Sequence, residues 1–148
     1  MDIEIREYDD SDYIVFVRMV NSLYSEDPEG QPMNSSKVEA TINEYKKNPE
    51  KIRIVILEKN NDIIGYSILV YLWSNEYGGN ILIVDELYIK EKFRTEGIGS
   101  YFIKWLEERE EFVAIQLETT PSNRRVFNYY IRLGFEVLEN AHLIKVRQ

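Results

Sequence analysis

Apolar and polar positions repeat along this chain with two different periods, and the switches between them predict its elements. Residues 3–6, Ile-Glu-Ile-Arg, alternate as a short strand does. Ile14, Val17, Val20, Leu23 and Tyr24 then recur at helical spacing, with Asp10 or Ser11 available as the cap. Two prolines and a glycine interrupt residues 25–34, which read as a loop. Ser36 and Glu39 have capping-box spacing for a second helix, which closes before Pro49. Residues 52–57 and 63–73 read as strands joined by Asn60-Asn61-Asp62, and Gly78-Gly79-Asn80 turns the chain into a third strand at 81–89. Residues 100–109 form a helix body, with Ile98, Phe102, Trp105 and Leu106 on one apolar stripe. Residues 112–117 read as a strand, 122–133 as a helix, and 135–138 with 143–146 as a closing strand pair. The order β-α-α-β-β-β-α-β-α-β-β predicts an α+β domain around one mixed sheet, spanning residues 1–148.

Between the strand at 81–89 and the helix that follows lies Arg94-Thr95-Glu96-Gly97-Ile98-Gly99. Glycines at 97 and 99 let a ligand approach the backbone without a Cβ in the way. The first N–H groups of a helix lack intrahelical partners, and the dipole there favours negative charge. A loop of this build suits a phosphate or pyrophosphate. It is not a Walker loop, because neither glycine precedes a lysine. It is not the dinucleotide fingerprint either, which needs three glycines early in a βαβ unit.

A second pattern stands downstream. Residues 123–135 read Asn-Arg-Arg-Val-Phe-Asn-Tyr-Tyr-Ile-Arg-Leu-Gly-Phe. The pair of patterns, Arg-x-x-Gly-x-Gly and then Asn-x-x-(Ala)-x-x-(Leu)-Tyr-x-x-x-Gly-Phe, resembles the coenzyme A-binding motifs of the GNAT superfamily of N-acyltransferases. Val126 and Tyr129 stand where the family has alanine and leucine, and Thr95 where many members have glycine. The resemblance covers the whole chain as an order of elements, with helices on both faces of the sheet. Residue-level likeness is confined to about 82–135.

The resemblance implies acetyl-CoA as donor and a set of residues to hold it. Arg94, Thr95, Glu96, Gly97, Ile98, Gly99 and Ser100 would cradle the pyrophosphate. Leu87 and Ile89 would pair their backbone groups with the pantetheine amides, as an added strand would. Asn123 would face the pantetheine arm, and Tyr130 would stand beside the thioester sulfur. Acyl transfer to an amine also needs a base, because an alkylammonium has no lone pair to attack with. Asp85 and Glu86 are the candidates. Adjacent side chains on a regular strand face opposite ways, so one points at the acceptor unless a bulge re-aims them. Glu86 is favoured for its reach and Asp85 kept beside it; in many relatives a water relay does this work.

The acceptor site falls on two loops, through Tyr24, Glu26 and Asp27 on one and Trp73, Glu76 and Tyr77 on the other. Carboxylates mixed with aromatic rings suit an ammonium by charge and cation–π contact. A polyamine, an aminoglycoside-like amine, a free amino acid and a peptide N-terminus all remain open.

Composition narrows the function further. The net charge of −8 argues against a nucleic-acid surface and suits a cationic small molecule. The chain has no cysteine and one histidine, which removes a thiolate nucleophile, a Cys-based or His-rich metal centre and a covalent thioester relay. No apolar run approaches the ~18 residues of a membrane span, and the first residues lack an apolar signal segment. A cytoplasmic enzyme is expected, with a homodimer common among relatives. The alternatives are a non-catalytic acyl-CoA-sensing module and a protein or peptide N-acetyltransferase.

Overall fold

The sheet follows the chain. In the computed structural model, which describes residues 1–26, 30–120 and 122–148, five strands lie side by side in sequence order. They are β1 (Ile3–Glu7), β2 (Ile52–Lys59), β3 (Asp62–Ser74), β4 (Gly79–Ile89) and β5 (Ala114–Leu117). The first four are antiparallel neighbours and β5 runs parallel to β4, so the sheet is mixed, as expected. Helices α1 (Tyr13–Glu26) and α2 (Ser35–Lys47) separate β1 from β2, and α3 (Ile98–Arg109) makes the crossover from β4 to β5. These elements lie within Met1–Glu118; α4 (Arg124–Arg132) belongs to a second unit, Thr119–Gln148. Among the described residues no helix is long and apolar enough to cross a membrane.

Strand alternation sorts the core of the first unit into two layers. Ile54 and Ile56 of β2, Tyr66 and Ile68 of β3, and Tyr88 of β4 pack with Phe16, Met19 and Val20 of α1 and with Val38 and Ile42 of α2. The alternate positions Val55, Leu57 and Leu69, with Leu82, are fully buried on the other face. There α3 contributes its buried Ile98, Phe102, Ile103 and Leu106. The predicted stripe of α3 therefore holds, with Ile103 added and Trp105 stacked on Phe102.

Several local expectations change. The cap before α1 is Asp9, whose carboxylate accepts from the Ser11 N–H while Asp12 accepts from the Asp9 N–H. One extra turn, Asp10–Asp12, rotates the helix, so Phe16, Met19 and Val20 face inward and Ile14 is 64% exposed. Helix α2 is capped by Asn34 rather than Ser36, through a bond from the Lys37 N–H. The closing pair at 135–138 and 143–146 is not formed: no strand is assigned beyond β5 among the described residues. Alternation describes a segment that could be a strand, but a ladder partner makes it one. Leu143 and Ile144 stand 95% and 91% exposed.

Two contacts fix the sheet locally. Gly65 lies opposite Ile89, and a Cβ there would fall 2.3 Å from the Tyr88 carbonyl oxygen. Only glycine lets β3 and β4 approach so closely. Arg6 reaches across β1 to both Asp12 oxygens and to Glu58, at 2.8–2.9 Å. The Arg6 bond holds the Asp12 carboxyl below its ordinary value.

Candidate active site

The β3–β4 register breaks at one place. Ile68 lies opposite Glu86 and Leu69 opposite Val84, which leaves Asp85 without a partner. On a regular strand Val84 and Glu86 would share a face. The bulge puts them on opposite faces, and Glu86 turns toward α1. Its Oε2 accepts from the Tyr24 hydroxyl at 2.5 Å and its Oε1 from the Tyr66 hydroxyl at 2.7 Å. The Ser67 hydroxyl donates to its backbone carbonyl at 2.7 Å.

Tyr66 is fully buried, with Phe16 edge-on at 5.0 Å and Tyr88 stacked at 6.1 Å between ring centroids. Glu86 is thus a carboxylate in an aromatic box. Burial raises its pKa, the two phenol bonds oppose that rise, and the Asp85 charge adds to it. Asp85 is exposed, yet loss of water around its carboxyl and the Glu118 charge also raise it. Burial, with help from Glu86, drives both phenols well above their ordinary range, so they act as donors. A carboxylate lifted in this way is suited to accepting a proton.

Pairing between β4 and β5 ends at Val84–Leu117. Beyond it Leu87 and Ile89 pair with Ser67 and Gly65 of β3, and no ladder is assigned on their other side among the described residues. The strands part here, and an extended ligand could add its own amides.

The chain then makes a single turn at Glu91–Phe93 and enters the glycine loop. Thr95 has φ 72° and Gly97 φ 79°. The left-handed value at Thr95 favours glycine, and a β-branched residue is strained there by about 1–2 kcal/mol. Gly97 caps α3 without a side-chain acceptor, and a Cβ on it would meet nothing nearer than the Met1 methyl at 3.7 Å. A twelve-residue helix opened by glycine fits an anionic group such as pyrophosphate. The Ile98 side chain is buried, so only its backbone is available, and Glu96 is paired with Lys59 at 2.8 Å.

The Arg94 side chain folds away from this cradle. Its Nε donates to the Ile89 carbonyl at 2.7 Å, and its Cζ lies 5.3 Å from the Tyr88 ring centroid. One terminal nitrogen donates to both Glu26 oxygens at 3.0 Å. The last turn of α1 therefore carries Tyr24 on Glu86 and Glu26 on Arg94.

The structure brings Tyr24, Glu26, Glu86 and Arg94 together on one face, with Asp85 at the bulge. Asp27 lies outside the described residues. The other acceptor loop is not brought to this cluster. Glu76 and Tyr77 sit in the turn after Ser74, six residues along β3 from Ile68, which is about 20 Å. Trp73 is 68% exposed on the face opposite Glu86, because the register pairs it with Asn80 and it follows Leu72 in alternation. Tyr66 was not anticipated: nothing but the β3–β4 register and the bulge aligns its hydroxyl with Glu86.

In the second unit, Asn123 caps α4 by accepting from the Val126 N–H at 3.3 Å. Tyr130 lies between the rings of Tyr129 and Phe135, at 5.3 and 5.5 Å. Burial and Tyr129 push its phenol up to about 12. Gly134, at φ 99°, ends the helix, and the Phe135 N–H returns to the Tyr130 carbonyl. The sequence placed this helix end correctly.

The chain belongs to the acetyltransferase (GNAT) family, whose model matches residues 17–135 and so includes parts of both units. A thialysine N-ε-acetyltransferase of Bos taurus is 30% identical over 82 residues, 53% of this chain; the match covers 48% of that protein, so the chain spans about half its length. Among solved structures, a "possible acetyltransferase" of Clostridium difficile 630 aligns over 100% of both chains with TM-score 0.82 and 20% identity. A GNAT family acetyltransferase of Staphylococcus aureus aligns over 99% of this chain and 100% of its own, with TM-score 0.71 and 21% identity. At these identities the structural likenesses speak for the fold alone.

Proposed function

We propose that this chain is a cytoplasmic acetyl-CoA-dependent N-acetyltransferase that acts on the primary amine of a small molecule by direct transfer. The observation that carries the reading is the bulge in β4. It presents Glu86 in its aromatic box, three residues before β4 ends and the chain turns toward the glycine-capped helix. Acetyl-CoA supplies the activated acetyl thioester.

The chain's own residues supply the rest. The backbone of residues 94–100 holds the pyrophosphate, and the free edge at Leu87 and Ile89 holds the pantetheine. Glu86, with Asp85 beside it, takes the proton of the acceptor ammonium. The freed amine attacks the thioester carbonyl, the N–C bond forms, the C–S bond breaks, and the thiolate sulfur takes a proton. Tyr130 is the donor for that last step, on the resemblance of residues 123–135 to the family motif. Asn123 stands beside the pantetheine arm on the same ground. Tyr24 and Glu26 flank the acceptor.

Calorimetric titration with acetyl-CoA tests the reading. Micromolar binding that weakens when S-acetylpantetheine, which lacks the pyrophosphate, replaces acetyl-CoA supports it, and no heat at millimolar donor overturns it. Tyr130→Phe is expected to lower kcat by roughly 10–100-fold with little change in donor affinity, read by thiol release and by the same titration. Unchanged turnover would remove Tyr130 from the reaction.

A further inference from the structure

Ser67 breaks an apolar layer. It lies opposite Val55 on β2 and two residues before Leu69 on β3, and all three side chains are fully buried. An apolar residue would fill that place without taking a hydroxyl out of water, so the hydroxyl needs a reason beyond packing. Its partner is the backbone carbonyl of Glu86, at 2.7 Å. Tyr66, the residue before it, points to the opposite face and donates to the Glu86 carboxylate, also at 2.7 Å. Two consecutive residues of β3 thus grip one residue of β4 from both faces, one by its side chain and the other by its backbone.

The grip falls where the register breaks. Ser67 lies opposite Leu87, Ile68 opposite Glu86 and Leu69 opposite Val84, so Asp85 is the extra residue. A second arrangement exists on paper, with Asp85 opposite Ile68 and Glu86 extra. It would turn Asp85 toward α1 in place of Glu86. Val84 and Leu87 keep their faces and their partners in either arrangement, so the burial of apolar side chains does not choose between them. The Ser67 bond does choose, because in the second arrangement Glu86 is the residue pushed out of the ladder and its carbonyl leaves the hydroxyl.

We propose that Ser67 is a positioning residue: its bond to the Glu86 carbonyl fixes the extra residue at Asp85 and so decides which of two adjacent carboxylates is presented as the base. This deepens the reaction proposed above and rests on Glu86 being its base. Asp85 is one methylene shorter than Glu86, so the same backbone in the other register would set a different carboxylate at a different depth among the same phenols.

The test needs neither donor nor acceptor, which keeps it apart from the reaction itself. Nuclear Overhauser contacts from the Tyr66 ring are recorded in the wild type, in Ser67→Ala and in Ile103→Val, a mild loosening of the same buried layer. The wild type and Ile103→Val are expected to show contacts to the Glu86 methylenes. Loss of the hydroxyl leaves a buried carbonyl unpaired and is expected to shift the balance of registers by roughly 10-fold or more. In Ser67→Ala the Glu86 contacts should therefore weaken and contacts to the Asp85 methylene appear. Should Ser67→Ala not fold, Ser67→Cys, which keeps the volume with a weak donor, is read in its place. Contacts unchanged from the wild type overturn the proposal, and so does the same switch in Ile103→Val, for then any loosening of the layer moves the bulge. A switch confined to Ser67 variants, beside a Glu86→Gln protein that transfers acetyl groups as fast as wild type, overturns Glu86 as base and with it the part that Ser67 plays in the reaction.

Discussion

Glu86→Gln is expected to lower kcat for acetyl transfer by roughly 10²–10³-fold while the melting temperature stays level or rises. The two effects have one cause. Burial lifts the Glu86 carboxyl, so the folded protein holds that proton to higher pH than the unfolded chain does. Stability then falls as pH rises from the ordinary glutamate range through the folded value, because the charged form is disfavoured in the box. Glutamine fills the same space without the charge.

The activity side has the opposite sign. Rate is lost as pH falls through the Glu86 pKa, since only the carboxylate accepts a proton. The groups that act on it are Tyr24 of α1, Tyr66 of β3 and Asp85 of β4. The Tyr24 and Tyr66 bonds favour the charged form. Tyr24→Phe should therefore move the acid limb of the pH–rate profile upward, with the pH-independent rate less affected. A Glu86→Gln protein with the wild-type profile would place the base elsewhere, and Asp85→Asn would be the next variant to profile.

The second large effect is expected from Phe16→Ala. Phe16 is 1% exposed and touches the rings of Tyr8 and Tyr66, at 5.4 and 5.0 Å. Removing a buried phenyl group and leaving its cavity costs about 3–5 kcal/mol. For a chain of this size that lowers the melting temperature by roughly 10 °C or more. The loss should also reach the site, because Phe16 is the edge against which Tyr66 is aimed at Glu86. Thermal unfolding and thiol release on the same sample would read both. A melting temperature within a degree or two of wild type would mean that the α1 layer collapses around the gap.

Much of the fold was legible because its signals are local. The turns at Asn60-Asn61 and Gly78-Gly79, the stripe of α3 and the helix stop at Gly134 all lie within a few residues of what they determine. What the sequence missed depends on partners far along the chain. The cap at Asp9 was hidden because Asp10 and Ser11 are equally good cap types, and only the Asp12 reciprocal bond selects the first. The tail at 135–146 has the alternation of strands but no ladder. The bulge at Asp85 was foreseen as a device, yet its position needed the pairing of Ile68 with Glu86. Arg94 was assigned to the loop by its motif, and its side chain lies elsewhere because Ile89 and Glu26 hold it. The hairpin tip at Glu76 and Tyr77 was grouped with Glu86 by composition, and strand length separates them.

The strand order also bears on how the molecule assembles. From β2 to β4 every strand pairs with its immediate successor across a turn of a few residues, so this meander closes only short loops. Strand β1 is different: Ile3 meets Lys59, and α1 and α2 lie in between. During synthesis the first strand and two helices leave the ribosome with their apolar faces uncovered, and they wait for β2 and β3 to appear. Pulse-labelled hydrogen exchange on the refolding chain should show amides of β3 protected before those of β1. The segment made first is thus the one that docks late, and Tyr24 cannot close over Glu86 until the sheet beneath it is complete.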